Sequence, residues 1–184
     1  HPFAMGQCVL IDLWAREKPP TSIFADVTWC GFIGQDVPEE YQRMFEAAIS
    51  LINERGTQKT TLKEIGEIAG YSRGLANYRF GSKDGLMLEL FAHFDARWKK
   101  HLGSYLEDKT GIAAVLAAAD ALRDFLKLEP EYMHAMYLLW YESLAHESEI
   151  RNKLADHHKV YRKDATQWIR EGIASGEINP ATNA

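Results

Sequence analysis

Within residues 61–82 the chain begins a helix three times, and this spacing constrains its fold more than any other feature. Thr61 heads "TLKE", where its hydroxyl can take the Glu64 backbone N–H while the Glu64 side chain reaches back, the spacing of a capping box. Ser72 heads the second start. Ser82 heads the third, with Asp84 placed in the first turn to meet the helix dipole. Leu62, Ile65, Ile68 and Ala69 form one helical face up to Gly70, and the next segment ends near Phe80. Two helices this short are marginal alone and must lean on one another. Short helix, the turn "AGYS", short helix is the pattern of a helix-turn-helix, here spanning 61–80.

The flanks extend the same pattern. "DVPE" puts Asp36 at an N-cap spacing from Glu39 with Pro38 between, and Tyr41, Phe45, Ala48, Ile49 and Ile52 then recur at helical period until Gly56. The helix opened by Ser82 carries Met87, Phe91, Phe94 and Trp98 as its stripe. Beyond it, 112–128 reads as an alanine-rich apolar helix, Pro130 starts another, and Ser148 opens a long one closed by Gly176. The expected fold is therefore all-α, a three-helix helix-turn-helix unit followed by a helical bundle. Residues 1–37 contain two patchy apolar segments, 8–14 and 23–33, that could form short strands, but nothing later would pair with them. No role is assigned to this stretch.

The charge distribution points to a working surface. The 184-residue chain carries a net charge of −5, yet residues 59–83 hold 5 basic groups against 2 acidic ones. The second helix of a helix-turn-helix lies in the DNA major groove, so its outward residues must be small, polar or basic. Ser72, Arg73, Asn77 and Tyr78 meet that need. Arg73 can pair bidentately with guanine and Asn77 with adenine, while Gly74 lets the helix approach closely. Thr60, Thr61, Lys63 and Lys83 complete the candidate DNA contacts, with Thr61 and Lys83 placed to hold phosphates. A capped surface helix with a solvated basic face is the plainer alternative for any one of these residues.

The stretch "TLKEIGEIAGYSRGLANYRFGSKDGLM" resembles the DNA-binding end of the TetR family of bacterial transcription regulators. Phe80, Gly81, Ser82, Lys83, Asp84 and Leu86 occupy the family's phenylalanine, break, Ser-Lys-acid and leucine positions, and Ala69, Gly70, Ser72 and Gly74 also agree. Asn77 stands where many members have tyrosine, with Tyr78 one place later. The resemblance covers roughly 38–98. It implies a cytoplasmic homodimer that binds double-stranded operator DNA, more often a repressor, with a small-molecule effector in its C-terminal domain and no cofactor. The expected domains are a DNA-binding domain at 38–98 and a ligand-binding domain at 99–184. The family usually continues with two dimer-building helices, so the chain is expected to be C-terminally truncated or to dimerise by other means.

Met133, Met136, Tyr137, Trp140, Tyr141, Tyr161 and Trp168 are the candidate walls of that effector pocket, because apolar and aromatic residues dominate such cavities. An ordinary bundle core would use the same residue types. Cys8 and Cys30 lie outside any metal-ligand spacing and a disulfide scaffold is not expected at this length, which makes a reducing cytoplasm the default. Glu131 and His134 have the Glu-x-x-His spacing of carboxylate-bridged metal bundles, but the second such pair and two further glutamates are not found. His157 and His158 are adjacent and point apart on a helix. No nucleophile elbow or phosphate loop is present, and no apolar run is long enough for a membrane. A helical bundle enzyme binding a metal or small molecule, or a helical protein-interaction module, are the alternatives; neither accounts for 69–86.

Overall fold

A computed structural model of the chain describes residues 37–145 and 147–183, with the Arg73 side chain also outside the described set. Seven helices make up the described residues: α1 (Glu39–Arg55), α2 (Leu62–Ile68), α3 (Arg73–Phe80), α4 (Lys83–Leu106), α5 (Gly111–Leu128), α6 (Pro130–Ser143) and α7 (Glu149–Ala174). Val37 onward forms one compact unit. The two apolar segments before residue 37 lie outside the described residues.

The helix starts follow local chemistry. Thr61 accepts from the Glu64 N–H, Ser72 from Leu75 and Ser82 from Gly85, so each short polar side chain satisfies a donor the helix cannot. Removing one such cap costs about 1 kcal/mol. At α1 the residue ahead of the helix is Pro38, whose carbonyl accepts from Tyr41 and Gln42, while the expected cap Asp36 lies outside the described residues. Thr110 makes no side-chain cap at α5. The Glu171 and Glu177 carboxylates accept there instead, from Gly111 and Ile112 at 3.3 Å each, placing negative charge at the positive end of the helix dipole.

Met44, Ile52, Ile65, Leu86, Met87, Leu90 and Met136 are almost wholly buried and belong to the core. Each such side chain contributes roughly 1.5–3 kcal/mol when taken from water. The helix α4 is the shared element: its first turns bury Leu86, Leu90 and Phe91, and its far end buries Leu102. It runs unbroken through position 98, where the two expected domains meet. Polar ties fasten its far half to α5, with Tyr105 donating to Asp124 at 2.9 Å and the His101 ring 3.0 Å from the Ala121 carbonyl. No helix among the described residues is long and apolar enough to cross a membrane.

Candidate nucleic-acid interface

The turn between α2 and α3 is a Schellman closure. Gly70 sits at φ +80°, its N–H bonds the Glu67 carbonyl at 3.2 Å, and the Tyr71 N–H reaches the Gly66 carbonyl at 2.7 Å. A left-handed residue is required at that point, which is why glycine occupies it. The inward faces of the two helices meet through Ile65, Ala69, Ala76 and Phe80, all buried. Phe80 packs edge-on against Tyr41 at 5.2 Å, seating α3 on α1. Behind it α4 approaches so closely that a Cβ on Gly85 would lie 2.1 Å from the Phe80 carbonyl oxygen.

This rigid seat leaves one face of α3 bare. Ser72, Gly74, Asn77 and Tyr78 are exposed, Tyr78 by 82%. A Cβ on Gly74 would touch only the Ser72 Oγ at 3.6 Å, so nothing inside the protein demands glycine there. Arg73 is the first residue of α3, and its side chain lies outside the described residues. Lys63 is exposed and stands 3.8 Å from Glu67 on the same helix. Thr61 is exposed, with its hydroxyl 2.6 Å from the Glu64 carboxylate. That hydrogen bond, then the Arg55 guanidinium at 2.8 Å, holds the Glu64 carboxyl below its ordinary range.

One expected contact needs correction, and a second already has a partner inside the fold. Thr60 is only 1% exposed and its hydroxyl donates to the Gly56 carbonyl at 2.9 Å, so its side chain is committed inside the α1–α2 turn and does not face a phosphate. Lys83 is half-buried, and its ammonium donates to the Thr57 carbonyl at 3.2 Å. Its first role is to tether the start of α4 to that turn, with donors left over for a phosphate. Arg79, another cation of the stretch, pairs with Glu40 and lies over the Tyr41 ring at 5.7 Å. It holds α3 against α1.

A second concavity opens among α4, α5, α6 and α7, an open cleft of about 380 Å³. Met133, Tyr137, Trp140, Tyr161 and Trp168 line it as expected of pocket walls. Met136 and Tyr141 do not: Met136 is fully buried in the core, while Tyr141 is 72% exposed on the outer side of α6. The difference is angular: at 3.6 residues per turn Met133, Tyr137 and Trp140 form a narrow stripe, and Met136 and Tyr141 fall on either side of it. Sequence reasoning missed Phe94, Ala118, Leu122, His157 and His158, which also form walls. A signal for His157 was present: 157, 161, 165 and 168 fall on one helical face.

Beside this cleft, Asp95 collects three donors. His157 lies 2.7 Å from its carboxylate, Lys99 at 2.6 Å, and the Tyr161 hydroxyl at 3.4 Å. Burial raises the Asp95 carboxyl, but hydrogen bonds from His157 and Lys99 outweigh it and hold the group below its usual range. Burial and the neighbouring Asp95 charge push the Tyr161 phenol well up, so it stays a neutral donor. Among the described residues the cleft walls carry no carboxylate, ammonium or guanidinium. Glu131 is engaged elsewhere, accepting from Asn53 at 2.8 Å.

Residues 45–90 match the family described as bacterial regulatory proteins, tetR family. Over this stretch the chain is similar to the DNA-binding part of the TetR family. It is 25% identical over 144 residues to the HTH-type transcriptional regulator RutR of Escherichia coli K12, covering 78% of this chain and 66% of that protein. With the HTH-type transcriptional regulator BetI of Yersinia pestis Pestoides F the identity is 25% over 137 residues, covering 72% and 69%. The chain thus spans about two thirds of the length of these curated TetR-family relatives. A solved structure of the fatty acid degradation regulator FadR from Bacillus halodurans shares the fold at a TM-score of 0.66 and 18% identity, over 81% of this chain and 75% of that one.

Proposed function

We propose that this chain is a sequence-specific DNA-binding transcriptional regulator of the TetR family that acts as a homodimer and is released from its operator by a small molecule. The observation that carries the reading is the contrast within α3: Ala76 and Phe80 seal its inner face, while Ser72, Gly74, Asn77 and Tyr78 stand clear of the protein. A helix so held and so bare suits major-groove reading, with Arg73 and Asn77 as the base-contacting side chains and Lys63 and the start of α2 near phosphates. Residues 38–98 form the DNA-binding part and 99–184 the ligand-binding part. Action as a repressor, a cytoplasmic location and binding without turnover belong to the same reading.

The cleft is the effector site in this reading. Its volume of about 380 Å³ lies in the range of small-molecule pockets. Aromatic walls without a charged group, next to an Asp95 already satisfied by three donors, favour a flat, uncharged, largely apolar ligand, because an unpaired charge would be costly there. The deciding experiment is selection from a random duplex pool followed by gel shift. Enrichment of a near-palindrome, with half-sites about one helical turn or a multiple apart, is the expected result. Failure to enrich any duplex over a scrambled one sinks the proposal.

A further inference from the structure

We propose that Glu142, in the last turn of α6, is a positioning residue for DNA reading: it grips the turn that feeds the helix-turn-helix. The inference rests on the DNA-binding function proposed above. Thr57 lies in the turn between α1 and α2, four residues before the Thr61 cap, and is 6% exposed. Its N–H donates to Glu142 Oε1 at 3.3 Å and its hydroxyl donates to Glu142 Oε2. Its carbonyl accepts from Lys83 Nζ at 3.2 Å and from the Thr60 N–H at 3.1 Å. Every polar group of Thr57 is therefore committed, two of them to α6 and one to the first residue of α4. The fit is close, since a Cβ on Gly56 would lie 2.8 Å from Glu142 Oε1.

A second tie makes this a bracket. Asn53, in the last turn of α1, donates to the Glu131 carbonyl oxygen at 2.9 Å and to its carboxylate at 2.8 Å. Glu131 and Glu142 stand at opposite ends of α6, so this helix holds both the end of α1 and the turn that follows it. A half-buried carboxylate is costly to strip of its donors, and the pair moves as a unit. A displacement of α6 thus carries Thr57, and with it the start of α2, against the Lys83 tether. Contacts to base edges need that register, whereas phosphate contacts tolerate its loss. The same α6 presents Met133, Tyr137 and Trp140 to the cleft, so Glu142 is where movement at the cleft wall reaches the reading helices.

Glu142→Gln keeps the size but replaces one acceptor oxygen with an NH2 that cannot accept from Thr57. Thr57→Val keeps the shape and removes the hydroxyl. The probes are the duplex that the wild-type chain selects from a random pool and a scrambled duplex of equal length. Each variant is expected to lose about ten-fold in affinity for the selected duplex, the scale of one charge-assisted hydrogen bond. Affinity for the scrambled duplex and the salt slope should stay unchanged, and the double variant should lose no more than the worse single one. Unchanged affinity for the selected duplex in both variants overturns the proposal. So does an equal fall on both duplexes with a lower melting temperature, which would mark a merely structural contact. If the wild-type chain selects no duplex, the DNA-binding reading itself fails.

Discussion

The helix-turn-helix and the cleft are built from different kinds of contact. Between Thr61 and Leu86 the decisive bonds run three to five residues along the chain: Thr61 to Glu64, Ser72 to Leu75, Ser82 to Gly85, Tyr71 to Gly66. Around the cleft they run tens of residues, as in Asp95 with His157 and Tyr161, or Tyr105 with Asp124. The first region is specified by short-range grammar and leaves one face free. The second exists only once four helices have met. The two constructions suit the roles proposed for them, a rigid bare face to read DNA and an assembled cleft to hold an effector.

The sharpest break in this comparison comes from two glycines. Gly85→Ala puts a Cβ against the Phe80 carbonyl, where only backbone can yield, and should destabilise the recognition module by about 3 kcal/mol, read as a lower urea midpoint. Gly74→Ala meets only the Ser72 Oγ, at an ordinary contact distance of 3.6 Å, and should leave that midpoint within about 0.5 kcal/mol. If Gly85→Ala is silent, α4 does not seat the recognition helix. Operator affinity should fall for Gly74→Ala alone among stably folded variants of this pair.

Next in size are the two side chains proposed to contact bases. Arg73→Ala, and Asn77→Ala on the exposed face of α3, should each cost about 1–3 kcal/mol at the selected duplex and relax preference at one base position. A loss spread evenly over all sequences would reassign the residue to the phosphates. The cleft offers a smaller effect. Ala118 lines it, whereas Ala117 is buried on another side of α5, so Ala118→Trp is the cavity-filling variant. It should lower operator affinity about ten-fold, a coupling of ordinary allosteric size, with the melting temperature retained. Equal affinity would separate the cleft from DNA reading.

The smallest effect lies where the two regions share α4. Burial, then the Arg97 charge, pushes the His93 ring down to about 4, and burial pushes the Glu89 carboxyl up to about 7. His93 is neutral in the fold, so its contribution is present above its ordinary value of 6.5 and is lost as pH falls towards 4. Glu89 has the opposite sign: its contribution is present below 4.5 and is lost as pH rises through 7. Between these limits the two slopes oppose, and the wild-type urea midpoint should be nearly flat. Glu89→Gln should then gain about 1 kcal/mol from pH 5 to pH 7, and His93→Gln should lose about as much, the figures reduced because both groups keep some water contact. Parallel slopes in the two variants would refute the pairing.

Much of the recognition module was legible before any coordinates. Caps, glycines and helical period placed α2, α3 and the start of α4 within a residue or two. The exposed face of Ser72, Gly74, Asn77 and Tyr78 followed from the same spacing. Thr60 was misjudged because a threonine hydroxyl can serve a phosphate or a carbonyl equally well, and only the folded α1–α2 turn shows which carbonyl is near. The cleft was half legible. Its helices could be drawn, but Met136 and Tyr141 could not be told from Met133 and Tyr137 until α6 had a rotation about its own axis, set by what packs on it.

Local chemistry sufficed for everything whose partner lies within one helical turn: the helix starts, the glycine closure at Gly70, the all-α class and the bare face of α3. These depend on a few dihedrals and one hydrogen bond each, and such information is carried by neighbouring residues. Which apolar residues face the cleft, why Asp95 is saturated, and how Glu142 comes to hold Thr57 depend on pairs separated by 62 to 85 positions. Those pairings arise when packing chooses the relative rotation of whole helices, and no single segment contains that choice.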